Sequence, residues 1–276
     1  MSDLAVISLE RDTLELAQTY EQAGIRQFNH GKYLVGPLAV KAGDHVLDIG
    51  AGTGRLAEFV ADLVGPQGRV VGIDPLENRI AIAQLRQSDN LRFAVGRAED
   101  LSRFEAGEFD AVYPNSVFHW IENKRGTLQE IYRVLKPGGR LGLNIQDPSK
   151  PHQSRILLRE AIVQAGFAGR GGEAHRVLGT DDDGLKTLFA DAGLIAYRSD
   201  LRSLSDLYDD VDTVLKWSEA SAFGNFLDGF SRSERDRIQV IFADLLEAKR
   251  VPEGLRLERY LRFAFARKPD APNAGS

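Results

Sequence analysis

Two short stretches restrict the fold more than any other part of the chain: residues 46–56, VLDIGAGTGRL, and residues 70–75, VVGIDP. In the first, an apolar run meets Asp48, and Gly50, Gly52 and Gly54 follow at alternate positions. In the second, another apolar run ends on Asp74. A strand that enters a helix through a tight glycine turn brings backbone N–H groups and the positive helix end to one spot. Glycine permits positive φ and lets a ligand come close to the backbone. An acid at the end of the next strand can accept two hydrogen bonds from a ribose diol. Together these features predict a nucleoside ligand lying across the C-terminal edge of a sheet.

The rest of the chain supplies that sheet. HVLDIG, RVVGID, LRFAVG, FDAVYPN and RLGLNIQ read as strands, with helices expected over 53–64, 76–87 and 123–135 and a turn at KPGG. Strands alternating with helices through short loops imply a parallel sheet covered on both faces. Residues 10–40 read as helical, broken near Gly24 and at Asn29-His30-Gly31. Beyond Asp147 the pattern changes. Helices are expected over 154–165 and 181–192 and around 210–219 and 232–249, with the glycine-rich AGFAGRGG between the first two. GLIAYRSDLRSL reads as a strand, and RLERYLRFAFARK alternates polar and apolar as a late strand should. The organisation predicted is an N-terminal helical cap (1–40), a main domain (41–268) with helical inserts at 148–180 and 205–250, and a disordered tail (269–276).

A chain of 276 residues, 43% hydrophobic and 27% charged, can bury a core of this size. Its net charge of -5 argues against nucleic acid as the main partner, because phosphate binding needs a basic face. With no cysteine, disulfides, thiolate nucleophiles and Cys-ligated metal are excluded. The five histidines lack metal-ligand spacing, so no metal is expected. No apolar run approaches the roughly 18 residues of a membrane span, and acids interrupt the apolar N-terminal region where a leader would lie. A cytoplasmic protein without membrane insertion is the expectation.

Two nucleotide chemistries fit the glycines poorly. A dinucleotide fingerprint wants glycine where this chain has Arg55, and Asp48 beside the loop suits a cationic ligand better than a pyrophosphate. A phosphate-binding loop needs a following Gly-Lys-Ser/Thr, which is absent.

VLDIGAGTG, VVGIDP, GRAEDL and FDAVYPNSVFHWIENKRGTLQEIYRVLKPGGRLGL, in this order and spacing, closely resemble the class I S-adenosylmethionine-dependent methyltransferases. The resemblance is strong over residues 30–147 and holds in outline beyond. It implies an α/β fold: a Rossmann-like doubly wound sheet, mostly parallel with a late antiparallel strand, carrying N-terminal and C-terminal helical cap segments. It also implies S-adenosyl-L-methionine as cofactor and a small-molecule acceptor as partner. By the same likeness Gly50, Ala51, Gly52 and Gly54 line the methionine part, Asp48 binds its ammonium end, and Asp74 holds the ribose. Pro75 and Leu76 flank the adenine, Ala98 and Glu99 meet its edge, and Asn115 passes beneath the sulfonium. Many relatives have Asp where this chain has Arg97, so either Glu99 takes the exocyclic amine alone or Arg97 points away.

Methyl transfer from a sulfonium needs mainly alignment, and a base only where the nucleophile must lose a proton. His119, in SVFHWI, is the candidate base; the plainer alternative is that His119 and Trp120 simply wall the pocket. Tyr20 and His30 belong to the cap expected to close over the site. Trp217 and Phe223 belong to the variable segment expected to shape the acceptor pocket. If that segment is helical, Phe223, Phe226 and Phe230 share one face, for core packing or as a lid. The overall pattern resembles enzymes that methylate quinones, carboxylic acids and natural-product scaffolds, on oxygen or nitrogen. RNA or protein methylation is the lesser alternative, since no basic module is appended and PNSVF replaces an Asn-Pro-Pro-Tyr motif. A non-catalytic cofactor-binding protein is the rival from another class.

Overall fold

The computed structural model describes residues 8–170 and 178–271. One eight-stranded sheet forms the frame. Its strands are β1 (His45–Ile49), β2 (Arg69–Asp74), β3 (Leu91–Val95), β4 (Phe109–Pro114), β5 (Leu135–Gln146), β6 (Ile195–Tyr208), β7 (Arg250–Val251) and β8 (Gly254–Arg267). They lie in the order β3-β2-β1-β4-β5-β8-β6, with β7 paired to β8. β1 to β5 are parallel, and β8 runs antiparallel between β5 and β6. The chain reverses its direction of strand addition between β1 and β4. In such sheets the crevice at the C-terminal strand ends is where ligands bind.

β1 and β2 are buried along nearly their whole length, as parallel strands covered on both faces must be. Adjacent β1 residues serve opposite cores, because side chains alternate across a strand. Leu47 packs with Val112, Leu128 and Phe189 under α5 (Lys124–Val134) and α7 (Asp182–Asp191). Val46 packs with Leu34, Val60 and Phe263 under α2 (Ile25–Leu38) and α3 (Arg55–Val64). A third core joins α6 (Gln153–Gln164), α8 (Val211–Ser221) and α9 (Arg232–Glu247) to the start of β8, through Leu158, Trp217, Phe242 and Leu257. A capping box fixes the start of α9: Ser231 accepts from Glu234 N, and Glu234 accepts from Ser231 N. The remaining α-helices among the described residues are α1 (Leu14–Ala23), which packs on α8, and α4 (Glu77–Gln84).

Four expectations change. First, α2 runs unbroken through Asn29-His30-Gly31. A Cβ on Gly31 would lie 2.5 Å from Leu56, so this glycine serves helix packing and does not break the helix. Second, KPGG is an excursion inside β5: Phe109 pairs with Leu135, and Ala111 already pairs with Arg140. Third, α8 stops at Ser221 and Phe223 takes a left-handed φ of 56°, so Phe223, Phe226 and Phe230 share no helix face. Fourth, the start of the expected disordered tail is tied down: Pro269 O accepts from Gly138 N, and Asp270 pairs with Arg267. The insert at 205–250 also contains the end of β6 and the start of β7. Parts of three other expectations lie outside the described residues: 1–7 of the cap, Gly171 and Gly172 of AGFAGRGG, and 272–276 of the tail.

Candidate active site

The glycine turn joins β1 to α3 above the second strand. Gly50 N and Ala51 N both donate to Ile73 O, at 2.7 and 2.9 Å. Gly52 N donates to the Asp74 carboxylate at 2.9 Å, and Leu76 N donates to its other oxygen at 2.9 Å. These N–H groups are already satisfied, so the turn is no cradle for a diphosphate. Gly50 has a φ of 73°, and a Cβ there would run into Val117. The turn is thus held open by glycine and fixed from beneath by Asp74. Gly54 does not line the ligand space; it sits below the turn against Phe93.

Asp48 explains what the turn can receive. It is buried, its Oδ2 accepts from the Tyr113 hydroxyl at 3.0 Å, and its Oδ1 has no partner. Burial pushes its pKa up to about 8, and Asp74 adds to the rise. A buried acid with an unpartnered oxygen becomes a stable carboxylate only when a cation pairs with it. Asp48 borders a small recess with Ala51, Gly50 and Asn115 that shares Tyr20 and Gln27 with the main cavity. The Asn115 amide donates to Gln27 O and accepts from Asn144, so it spans from the sheet to the cap.

The main cavity, of about 220 Å³, begins at Gly50, Asp74, Leu76 and Ala98 and continues to Trp120, Trp217 and Phe223. Pro75, Glu99, His119 and Tyr20 also line it. Arg97 is largely exposed and lies 3.7 Å from Glu99, so it leans on the acid expected at the adenine edge. Tyr20 stacks on Trp217 at 5.4 Å, and Trp120 meets Phe223 edge-on at 5.0 Å. Residues of the N-terminal helical region and of the variable segment therefore wall the cavity.

His30 is the exception. It lies behind the wall, where its ring accepts from Arg259 Nη2 (Nδ1 at 2.8 Å). Burial and then Arg259 hold its pKa down to about 3, so the ring is neutral. Arg259 in turn pairs with Asp206 at 2.9 Å and does face the cavity. His119 is buried with Nδ1 unpartnered. Burial first, then Arg155, Lys124 and Arg259, hold it well below its usual pKa.

Several residues escaped the sequence reading. Arg79, on α4, is buried against Asp12 (2.8 Å) and donates to Ala220 O (2.7 Å). Its guanidinium also covers the Tyr20 ring at 4.1 Å. Nothing local to DPLENR signals this role. Arg259 had a signal: it occupies the inward parity of β8, shared by Leu257 and Leu261. Arg155 lies one turn before Leu158 on the buried stripe of α6, and His152 precedes that helix.

A methyltransferase-domain family model matches residues 47–143. The chain is 31% identical over 179 residues to the ubiquinone/menaquinone biosynthesis C-methyltransferase UbiE of Hahella chejuensis, covering 59% of this chain and 72% of that one. It is 36% identical over 136 residues to an arsenite methyltransferase of Aquipseudomonas alcaligenes, covering 46% of this chain and 38% of that relative. The chain thus spans well under half the length of the arsenite methyltransferases it matches, a mouse enzyme included. Among solved structures, Haemonchus contortus phosphoethanolamine N-methyltransferase 2 superposes with a TM-score of 0.58 at 19% identity, over 92% of this chain and 57% of that one. The glycine turn, the paired acids and the sheet order define a nucleoside-binding α/β protein. The chain belongs to the class I S-adenosylmethionine-dependent methyltransferases, with S-adenosylmethionine as the cofactor of that family.

Proposed function

We propose that the protein transfers the methyl group of S-adenosylmethionine to an oxygen or nitrogen of a small organic metabolite. The observation that carries this reading is one continuous cavity running from the glycine turn and Asp74 to a wall of aromatic side chains. The residues suit the cofactor on physical grounds. The open Asp48 oxygen answers an ammonium, and Gly50, Ala51 and Gly52 leave room for the methionine chain. Asp74 keeps free acceptor lone pairs for a ribose diol although both its oxygens already accept backbone N–H groups. Pro75, Leu76, Ala98 and Glu99 wall the adenine end, and Asn115 stands near the junction of the two spaces. Gly54 contributes from beneath, by letting α3 approach Phe93.

The bound cofactor supplies an electrophilic methyl on a sulfonium. The protein's own contribution is alignment and exclusion of water, and alignment alone can be worth about 7–11 kcal/mol of barrier. His119 is a poor store for a proton, because burial and three nearby cations oppose the imidazolium. We assign it a wall and hydrogen-bond-acceptor role, with Nδ1 open to an acceptor O–H or N–H. Tyr20, Trp120, Trp217 and Phe223 form the apolar sides. His30 acts through Arg259.

The chain has no cysteine, so it lacks the thiolates that arsenite chemistry uses. The match to a C-methyltransferase keeps an activated carbon as a second acceptor atom. The test is a calorimetric titration with S-adenosylmethionine, S-adenosylhomocysteine and NAD, followed by a labelled-methyl assay over a panel of small acceptors. The expected result is micromolar binding of the first two, none of NAD, and label transferred to a small molecule. Binding without transfer to any acceptor would favour a sensing or scaffolding protein, and NAD binding would overturn the reading.

A further inference from the structure

We propose that His152 is a further acceptor-binding residue: its Nδ1 accepts a hydrogen bond from a neutral hydroxyl on an otherwise apolar acceptor. The inference rests on reading the far part of this cavity as the acceptor site.

His152 stands at the N-cap of α6. The side chains favoured at such a position, Ser, Thr, Asp and Asn, turn back to cap their own helix. The His152 side chain makes no capping hydrogen bond. It meets the sheet instead, where Nε2 lies 3.1 Å from Tyr260 O on β8. The next residue is tied to the same strand, because Glu258 N donates to Gln153 Oε1 at 2.9 Å. Two successive side chains thus stitch the start of α6 to β8 and hold the ring in one orientation. His152 is 8% exposed and lines the cavity, together with Ser154 and Leu158 of α6 and Leu257 of β8.

This geometry also fixes the tautomer. A carbonyl oxygen only accepts, so Nε2 carries the proton, and in a neutral ring Nδ1 then holds a lone pair. Two features keep the ring neutral. It sits at the positive end of α6, which disfavours an imidazolium. Burial first, then Arg259 and Arg155, hold its pKa well below the usual imidazole range. Nδ1 has no hydrogen-bond partner among the described residues. It is also not one of the buried atoms left unpartnered, as Arg259 Nε is, so it is open to the cavity that the ring lines. The result is an acceptor-only nitrogen, oriented by the hydrogen bond that the other ring nitrogen makes behind it.

Such an atom discriminates among ligand groups. A carboxylate has no proton to offer it, and its oxygen lone pairs would face the lone pair of the nitrogen. An ammonium has donors, but the helix end and Arg259 oppose a positive charge there. A neutral hydroxyl meets neither objection. Trp120, Trp217, Phe226 and Leu158 also wall the cavity and suit an apolar body behind the hydroxyl. His119 is near enough to act on the same ring, so the seat adjoins the loop that follows β4. The contact positions the acceptor, whichever of its atoms receives the methyl group.

The test is calorimetric titration of the full chain with octan-1-ol, 4-propylphenol and 1-naphthol, each against the analogue carrying fluorine in place of the hydroxyl, with and without saturating S-adenosylhomocysteine. At least one hydroxyl compound should bind about fivefold more tightly than its fluoro analogue, the share of one neutral hydrogen bond. Octan-1-ol should also bind more tightly than octanoate or octylamine. Two substitutions separate the two ring nitrogens. His152→Gln keeps an amide at the Nε2 position for Tyr260 O and removes the Nδ1 acceptor, so it should abolish the hydroxyl preference. His152→Asn places an amide oxygen near the Nδ1 position and gives up the Tyr260 contact, so it should keep part of the preference. S-adenosylhomocysteine affinity should stay within about twofold of the parent in both. A preference kept by the Gln variant and lost by the Asn variant would reduce His152 to a structural tie and overturn the proposal. Equal binding within every pair, absence of binding by every probe, or tighter binding of octanoate or octylamine would also overturn it. A hydroxyl preference that depends on His152, in a protein that fails to bind S-adenosylhomocysteine, would keep the hydroxyl seat and sink the cofactor reading instead.

Discussion

The two ends of the cavity are built differently. The glycine-turn end comes from consecutive short segments: β1 and its turn, β2 and Asp74, and the loop after β3 with Ala98 and Glu99. Much of its chemistry is backbone geometry: N–H groups tied to Ile73 O and Asp74, and positive φ at Gly50 and Gly52. The acceptor end gathers side chains from α1, α6, α8, β6 and β8, which lie far apart in the sequence. The difference teaches which end a sequence can disclose. Backbone-built sites leave a compact motif, because glycines and acids must stand at fixed offsets. Sites assembled from distant side chains leave only isolated oddities, such as a charge at a buried position.

Substitutions should separate the two ends, beginning with the tie between them. Arg79 joins Asp12 of the cap region, Ala220 of the variable segment and the Tyr20 ring. Arg79→Met leaves Asp12 buried without its cation and should destabilise the protein by about 3–5 kcal/mol, read by urea denaturation. A loss below about 1 kcal/mol would mean that the two ends are not joined through this residue.

Asp74→Ala should weaken S-adenosylmethionine binding by about 1.5–3 kcal/mol. Unchanged cofactor affinity would remove the ribose assignment. Asp48→Asn should act through pH. Burial raises the Asp48 pKa from 3.8 to about 8, so the fold favours the protonated form. That contribution is fully present below the unfolded pKa of 3.8 and is lost as pH rises toward about 8. The free Asp48→Asn protein should therefore gain stability relative to the parent as pH rises through this window, in melts between these limits. A constant difference across that range would contradict the assignment.

At the acceptor end the expected effect is smaller. His119→Gln should lower kcat by less than about tenfold, because the ring walls the site and accepts a hydrogen bond. A general base would contribute about 10²–10⁴-fold. A loss in that range, with a pH profile to match, would restore His119 as the base.

Legibility followed the same divide. The parallel strands were plain because their apolar runs are short and bounded by turn residues, and the glycine turn because its spacing is mechanical. The helix expected over 181–192 is present, and Asp181 caps it by accepting from Gly184 N. Sequence rules failed where packing overrode them. Gly31 reads as a helix breaker until Leu56 is found against it. The aromatic spacing of Phe223, Phe226 and Phe230 suggests a helix, but left-handed residues at Phe223 and Leu227 interrupt it. His30 was placed in the wall because it lies in the cap, and it is one residue removed, behind Arg259. Arg79 and His152 could not be assigned from local sequence, since their partners come from other elements.

The central claim is that the glycine-turn end receives a cationic amino-acid group at Asp48. Titrating S-adenosylhomocysteine at pH 7 in two buffers of different ionisation enthalpy tests it most directly. Asp48, with a pKa of about 8 in the free protein, is mostly protonated there and must give up its proton to pair with the ligand's ammonium. The account predicts release of about one proton per molecule bound, and release near zero for Asp48→Asn. Tight binding with no proton released by the parent protein would contradict it.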